Sequence, residues 1–195
     1  MSNVSEYFGI PLVHADAYGV EMEMESFVEQ LQTIPELLSL TEDGSLRNNG
    51  REFISKPVNR HNALAFYKKV MDPSIVLYSP SAPRCTDRGS VHVHVNMSHR
   101  DLDDVRNLIL LYCLLEPGFF SLVDDTRQNN IYCVPLSSTR MPTYAVSKSM
   151  DMLTDVWHKY TAFNVKPLSK YGTIEFRHLQ ATEDINVFDR WLHTL

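Results

Sequence analysis

Three stretches of this chain alternate apolar and polar side chains at every second residue: Gly19-Val-Glu-Met-Glu-Met-Glu25, Val91-His-Val-His-Val-Asn96 and Thr173-Ile-Glu-Phe-Arg177. Successive side chains of a β-strand point to opposite faces. Glu21, Glu23 and Glu25 therefore share one face of their strand, as do His92, His94 and Asn96, and Glu175 with Arg177. Val20, Met22 and Met24, then Val91, Val93 and Val95, then Ile174 and Phe176 point the other way. A sheet built from such strands has one face for a core and one lined with carboxylates, imidazoles and a guanidinium. Two unit charges about 7 Å apart repel by roughly 2–3 kcal/mol at an effective dielectric near 20. Three carboxylates in a row therefore demand cations.

At 195 residues the chain reads as one domain over residues 1–195, large enough for a substantial core. Its composition, 44% hydrophobic and 22% charged, is that of a soluble globular protein. The net charge of −6 argues against nucleic acid as a partner, since a broad binding surface needs excess Lys and Arg; a local basic pocket remains compatible with it. The longest apolar run, Leu108 to Leu115, contains Tyr112 and Cys113 and is too short to span a bilayer, so no membrane partner is expected. The opening Met-Ser-Asn-Val-Ser-Glu lacks the basic and apolar regions of a signal peptide. Cys85, Cys113 and Cys133 form an odd set without metal-ligand spacing, which makes a reducing cytoplasm the expected location. Cys113 is expected to pack in a helix as a small hydrophobe.

The chain shows no low-complexity tract, long linker or internal repeat. The first strand, about residues 18–25, leads into an expected helix from Phe27 to Leu38, disturbed at Pro35. Thr41 to Leu46 and Asn48-Asn-Gly50 carry turn chemistry. A short strand from Glu52 to Ser55, a helix from Ala63 to Val70 and a strand from Ile75 to Tyr78 follow, then a Pro- and Ser-rich loop from Ser79 to Gly89. Ser98 with Asp101 resembles a capping box. Leu102, Val105, Leu108, Ile109, Tyr112 and Leu115 then repeat at helical spacing up to Pro117-Gly118. A further helix is expected over Val146 to Tyr160, a turn at Lys170-Tyr-Gly172, and a last helix through Ile185, Phe188, Trp191 and Leu192. The fold class is α+β. The strands are not spaced as a βαβ series, so the sheet is expected to be largely antiparallel.

Glu21, Glu23, Glu52, His94 and Glu175 are hard oxygen donors plus one imidazole, a set that suits Mg²⁺ or Mn²⁺; zinc more often takes several His or Cys. Arg177, on the same face as Glu175, has a purpose beside a metal cluster if a further anion must be held there. A nucleotide phosphate fits, because Mg²⁺ completes its shell with phosphate oxygens and Arg matches phosphate geometry. No Walker-type or dinucleotide fingerprint competes.

Plainer readings stand beside these. Glu25, at its strand end, is expected to face solvent. His92 is either a ligand or a hydrogen bonder in the core. Glu21 and Glu23 could be guards on an edge strand, Glu175 and Arg177 a surface cross-strand pair, and Glu52 with Arg51 solvated turn charges. Arg140, after Ser137-Ser-Thr139, is a candidate grip on nucleotide against the plainer reading of a loop arginine. Lys166 and Lys170 are expected to be solvated.

The ordered set of Gly-Val-Glu-Met-Glu23, Asp43-Gly-Ser-Leu46, Arg51-Glu-Phe-Ile-Ser-Lys-Pro57, His92-Val-His-Val-Asn96, Tyr160 with Asn164, and Thr173-Ile-Glu-Phe-Arg177 resembles the amidoligase group of carboxylate–amine ligases. That group is related to glutamine synthetase and glutamate–cysteine ligase, and the resemblance runs from about residue 18 to the end. Members occur in bacteria, fungi and phages; for a phage-encoded chain the cytoplasm would be the host's. The resemblance implies a glutamine-synthetase-like catalytic core: an antiparallel sheet curved around ATP and two or three divalent ions, with helices packed on its outer face. Glu21 and Glu23 resemble the first-strand metal ligands and Glu52 the next acidic ligand. His94 resembles the strand histidine near a metal bound to nucleotide phosphate. Glu175 resembles the late-strand ligand, and Arg177 the arginine that holds the transferred phosphoryl group. Asn96, Asn164 and Arg140 go with His94 and Arg177 as nucleotide contacts, and Glu21, Glu175 and Arg177 are the implied catalytic set. Asp43 is placed to help with metal or substrate.

The implied reaction is ATP-dependent formation of an amide, with an acyl phosphate between carboxylate and product. Partners would be amino-acid, peptide or protein carboxylates and amines. No enzyme nucleophile is required, in keeping with the lack of a Ser/His/Asp or Cys/His motif. The sequence departs from many relatives in ending soon after Arg177, at Leu195. Part of the substrate pocket would then be absent, or supplied by another subunit of a homo-oligomer. Two competing functions remain open. One is a catalytically inactive relative with a structural or interaction role; the other is a metal-dependent hydrolase using bound water, which needs neither Arg177 nor ATP.

Overall fold

The structure, a computed structural model, describes residues 2–146 and 149–195. In chain order the strands are β1 (Tyr18–Met24), β2 (Phe27–Gln30), β3 (Leu37–Glu42), β4 (Arg51–Ser55), β5 (Val76–Tyr78), β6 (Ser90–Asn96), β7 (Phe163–Asn164) and β8 (Thr173–Gln180). The helices are α1 (Val4–Phe8), α2 (Arg60–Met71), α3 (Leu102–Ser121), α4 (Met150–Val156), α5 (Leu168–Tyr171) and α6 (Ile185–Thr194). The fold is α+β. Six strands form one sheet in the order β3-β4-β1-β6-β8-β7, and β2 pairs with β5 separately. The β1–β4, β3–β4 and β7–β8 ladders are antiparallel: Glu23 lies opposite Glu52, Leu40 opposite Phe53, and Asn164 opposite Glu175. All three alternating stretches of the sequence are strands of the large sheet.

The chain divides into two compact units. The first is Tyr18–Val93 with Leu179–Leu195. Its core is the apolar side of β1 and β4, with Val20, Met22, Met24 and Phe53 all fully buried. Ala63, Phe66 and Val70 of α2 and Phe188, Trp191 and Leu192 of α6 are buried as well, and the Tyr67 ring stacks on Phe188 at 4.4 Å. Burying a side chain of this size stabilises by about 1.5–3 kcal/mol. Asn59 caps α2, its side chain accepting from the Asn62 N–H at 2.9 Å. Arg84 ties the loop before β6 to Glu183 through two bonds of 2.9 and 3.0 Å. Gly89 lies so close to β1 that a Cβ there would stand 2.6 Å from the Glu23 carbonyl oxygen, so no larger residue fits.

The second unit is Met1–Ala17 with His94–His178. Its core is aromatic. Tyr112 of α3 stacks on Phe163 at 4.4 Å, and Phe119, Phe176 and His178 gather round the same ring. Gly172 closes α5 in the left-handed region at φ 66, and a Cβ there would meet the Ile10 side chain at 2.8 Å.

The structure corrects several local expectations. Phe27 to Leu38 is not a helix. Its first residues form β2, paired with β5 so that Phe27 faces Tyr78, and its end begins β3. Strand pairing across some fifty residues outweighs the helical spacing of Phe27, Leu31, Ile34 and Leu38. The cap of α3 is Asp101 with Asp104, not Ser98, which is buried and accepts from the Val13 N–H. Pro117 does not end α3; the helix runs on to Ser121 with Pro117 on its exposed side. The helix expected over Val146 to Tyr160 is confined to Met150–Val156, preceded by a 3-10 turn at Met141–Val146; residues 147 and 148 lie outside the described residues. Cys113 does lie in a helix, α3, where it is half-buried.

Candidate functional site

In the first unit, the polar faces of β1, β4 and β6 converge. Antiparallel pairing sets Glu23 opposite Glu52 on neighbouring strands. Glu21, Glu52 and His92 each bring a ligand atom within 4.8 Å of the others, and Glu23, Asp43 and Glu52 do the same. Glu52 belongs to both groups. His92 is 1% exposed and spans the carboxylates: its Nδ1 is 3.3 Å from Glu21 Oε2, its Nε2 2.7 Å from Ser90 Oγ and 3.8 Å from Glu23 Oε1. Ser90 Oγ donates to Glu23 in turn. Thr41 Oγ1 donates to Glu52 at 3.2 Å.

The electrostatic consequence shows on Glu52. Its pKa is pushed up to about 7, first by burial and then by the charges of Glu21 and Glu23. A carboxyl group that resists ionisation among other carboxylates is one that a divalent cation would relieve. The donors are oxygens with one imidazole, and neither group contains a thiol. This fits Mg²⁺ or Mn²⁺ better than zinc.

In the second unit, a guanidinium and a carboxylate are locked together. Arg177 Nη1 donates to Glu175 Oε1, and Arg177 Nε donates to the Tyr132 carbonyl at 3.0 Å. Glu175 is 4% exposed, and its other oxygen accepts from Asn164 Nδ2 at 2.6 Å. The Arg177 guanidinium lies 6.0 Å from the centre of the Tyr160 ring. His94 sits with its Nδ1 2.9 Å from Thr173 Oγ1 and its ring edge-on to Tyr171. Behind this face lies a buried polar network. Tyr112 hydroxyl is 2.8 Å from His178 Nε2 and donates to Glu116 at 3.0 Å, and Glu116 also accepts from the Leu136 and Ser137 N–H groups. Arg127, 2% exposed, donates to the carbonyls of Arg177 at 2.7 Å and His178 at 3.0 Å.

The other expected residues are placed as follows. Asn96 gives its amide hydrogens to the carbonyls of Val13 and His14 and accepts from the Ser98 N–H, so its side chain anchors backbone. Arg140 is exposed. Glu25 does not face solvent: it is 2% exposed and accepts from the Arg47 N–H at 2.7 Å. Lys166 is not simply solvated either, since its ammonium donates to the carbonyls of Thr154 and Asp155 at the end of α4. Lys170 is exposed, over the Tyr171 ring. His92 and Asp43 join the carboxylates more closely than their position in sequence indicated. Arg127, which holds the backbone under Arg177, carries no sequence signal at all.

Residues 76–194 match the model of a protein family described as "Putative amidoligase enzyme". Searches of curated proteins and of solved structures returned no match. No helix among the described residues is long and apolar enough to cross a membrane.

Proposed function

Because the chain belongs to the amidoligase family, we propose that it is an ATP- and magnesium-dependent ligase that joins a carboxylate to an amine. The observation that carries the reading is the crowding of carboxylates about Glu52, with Glu21 and the His92 imidazole in one group and Glu23 and Asp43 in the other, and with the pKa of Glu52 pushed up to about 7. Such an arrangement is relieved by a bound cation, or in its absence by a proton on Glu52. Bound magnesium would neutralise phosphate oxygens and orient the triphosphate.

In the proposed reaction a substrate carboxylate oxygen attacks the γ-phosphorus of ATP, ADP leaves with the bond's electron pair, and an acyl phosphate forms. The amine nitrogen then attacks the acyl carbon, inorganic phosphate leaves, and the amine proton passes to solvent. Neither step needs a nucleophile from the protein; both depend on position and on charge neutralisation. The chain's own contributions are specific. Glu175 and the Tyr132 carbonyl fix the plane of the Arg177 guanidinium, so that it meets a phosphoryl group without reorganising. Asn164 keeps Glu175 from turning away. His94, held by Thr173, offers its ring as a donor to nucleotide phosphate. Glu21, Glu23 and Glu52 supply the oxygens for the ions.

Calorimetry with Mg²⁺-ATP tests the first half of the reading, and a coupled assay of ADP release across carboxylate and amine pairs tests the second. Binding that is lost in Glu21→Ala and in Glu175→Ala supports the ligase. Binding without ADP release from any pair favours an inactive relative. Absence of Mg²⁺-ATP binding in the wild-type protein removes the proposal.

A further inference from the structure

The turn between β3 and β4 is tied to the end of β1 by one buried carboxylate. Glu25 stands just past the last β1 residue, two positions beyond Glu23, and is 2% exposed. Its Oε1 accepts from the Arg47 N–H at 2.7 Å, and its Oε2 lies 3.5 Å from Asn48 Nδ2. The segment it holds is conformationally demanding. Asn48 and Asn49 are both left-handed, at φ 51 and φ 58, and Gly50 packs directly on Leu46. Asparagine tolerates that region better than most residues, yet two in succession need external support. The support is reciprocal: the Ser26 N–H donates to the Asn48 carbonyl at 2.9 Å, and Asn49 Nδ2 donates to the Phe27 carbonyl at 2.6 Å. Ser26 is itself left-handed at φ 61 and buried, its hydroxyl donating to the Pro83 carbonyl at 2.9 Å. A strained, buried serine beside a buried glutamate marks a junction held by its surroundings.

The same turn carries Asp43, whose carboxylate lies within 4.8 Å of ligand atoms from Glu23 and Glu52. Glu23 and Glu52 are set opposite each other by strand pairing and receive hydrogen bonds from Ser90 and Thr41. Asp43 is different: it sits at the head of a loop, half-exposed, with one oxygen accepting from the Ser45 N–H at 2.6 Å. Placing a third negative group beside two others is unfavourable before any cation arrives, so the loop must be held from elsewhere.

We propose that Glu25 is a positioning residue for the cation-binding group: it pins the turn at Arg47 and Asn48 and thereby keeps Asp43 against Glu23 and Glu52. This rests on the divalent-cation reading of that group. Glu25 touches no ion itself; both of its oxygens are turned to the loop.

The test uses Mn²⁺ as the probe, with affinity read from the free-ion electron paramagnetic resonance signal of the whole chain. Glu25→Ala is expected to weaken Mn²⁺ binding by about 10-fold, as removal of an outer-shell support commonly does. Asp43→Asn should weaken it similarly. In the Asp43→Asn background, Glu25→Ala should change affinity by less than about 2-fold, because the two substitutions remove one and the same contribution. A general loss of packing would instead add to the Asp43→Asn effect. Glu25→Gln, which keeps one acceptor for the Arg47 N–H, should fall between wild type and Glu25→Ala, and it carries the test if Glu25→Ala does not fold. Wild-type binding that survives Glu25→Ala and Glu25→Gln unchanged, or full additivity with Asp43→Asn, overturns the inference alone. Wild-type protein that binds no Mn²⁺ overturns the cation reading and the inference together.

Discussion

Asn164 donates an amide hydrogen to Glu175 across 2.6 Å, between residues that lie directly opposite each other on β7 and β8. The bond joins the short edge strand to the carboxylate that holds Arg177. Replacing Asn164 with Ala should therefore act on Arg177 through Glu175. We expect phosphoryl transfer from ATP to fall by about 10- to 100-fold while the protein stays folded, the usual consequence of losing a support one step behind a ligand. ADP-release kinetics beside a thermal melt would check this; an unchanged rate would show that Glu175 keeps its place unaided.

Arg177→Ala should leave Mn²⁺ binding near wild type and cut phosphoryl transfer far more strongly, by about 10³-fold or more for a group that neutralises transition-state charge. The guanidinium bonds a carboxylate and a backbone carbonyl, so its loss opens a gap rather than a core cavity. Arg177→Lys should recover little, because an ammonium cannot reproduce the two-point planar anchor. Equal turnover in the Ala variant and wild type would dismiss the assigned role.

Stability without metal should carry a signature from Glu52. Its folded-state pKa is raised to about 7, so between about 4.5 and 7 the folded protein keeps a proton that the unfolded chain has released. Metal-free stability should then decline as pH rises through that window, by about 1–2 kcal/mol once partial solvent screening is allowed for. Saturating Mg²⁺ should remove most of the decline, since the ion replaces the proton. Melting temperatures from pH 4.5 to 8 with and without Mg²⁺ give the answer, and a metal-free profile that is flat or rising would contradict it.

How much of this was visible in the residues alone follows from physical range. β1, β6 and β8 declared themselves because a period of two with charges on one side has few other meanings. β2 did not, because Phe27 finds its partner at Tyr78 and no local window contains both; β3 pairs with the nearby β4, but its first residues continue the helical spacing that ends at Leu38 and its last carry turn-forming types. Among site residues, the shared face of Glu21 and Glu23 was legible, and so was that of Glu175 and Arg177. His92 stayed ambiguous until strand order set Glu21 and Ser90 beside its two ring nitrogens. Glu25 looked like a solvated strand end, but the chain returns to it at Arg47 and at Arg84, both far off in sequence. Arg127 sits in a three-residue turn with no pattern around it, and its role depends on carbonyls fifty residues away.

His178 offers a second pH test with the opposite sign. Burial first, and the Arg127 charge second, lower its pKa to about 3. The folded protein thus leaves the ring neutral while an unfolded chain takes up a proton below about 6.5, so this residue should erode stability as pH falls from there toward 3. Its ring resonances should not titrate between pH 4 and 8 in nuclear magnetic resonance spectra of the folded protein. A midpoint near 6.5 would mean that the ring is reached by water.

Glu116→Gln should be costly although it changes few atoms. Tyr112, Leu136 and Ser137 all donate to the carboxylate. The amide that replaces it offers one acceptor oxygen and turns a donor toward donors. We expect a loss of about 2–4 kcal/mol and a fall in Tm of about 5–10 °C. A Tm within 2 °C of wild type would show that these N–H groups find other acceptors.

β6 shows how little room the design has for error in counting. Val91 and Val93 are fully buried on one side, while His92 and His94 are nearly so on the other. Adding or deleting a single residue between Gly89 and Val91 would exchange the two sides along the rest of the strand. Imidazoles would be driven into oil and valines toward the acids. An error of one codon there would abolish architecture and chemistry in the same stroke, so selection has no intermediate to work with at that position.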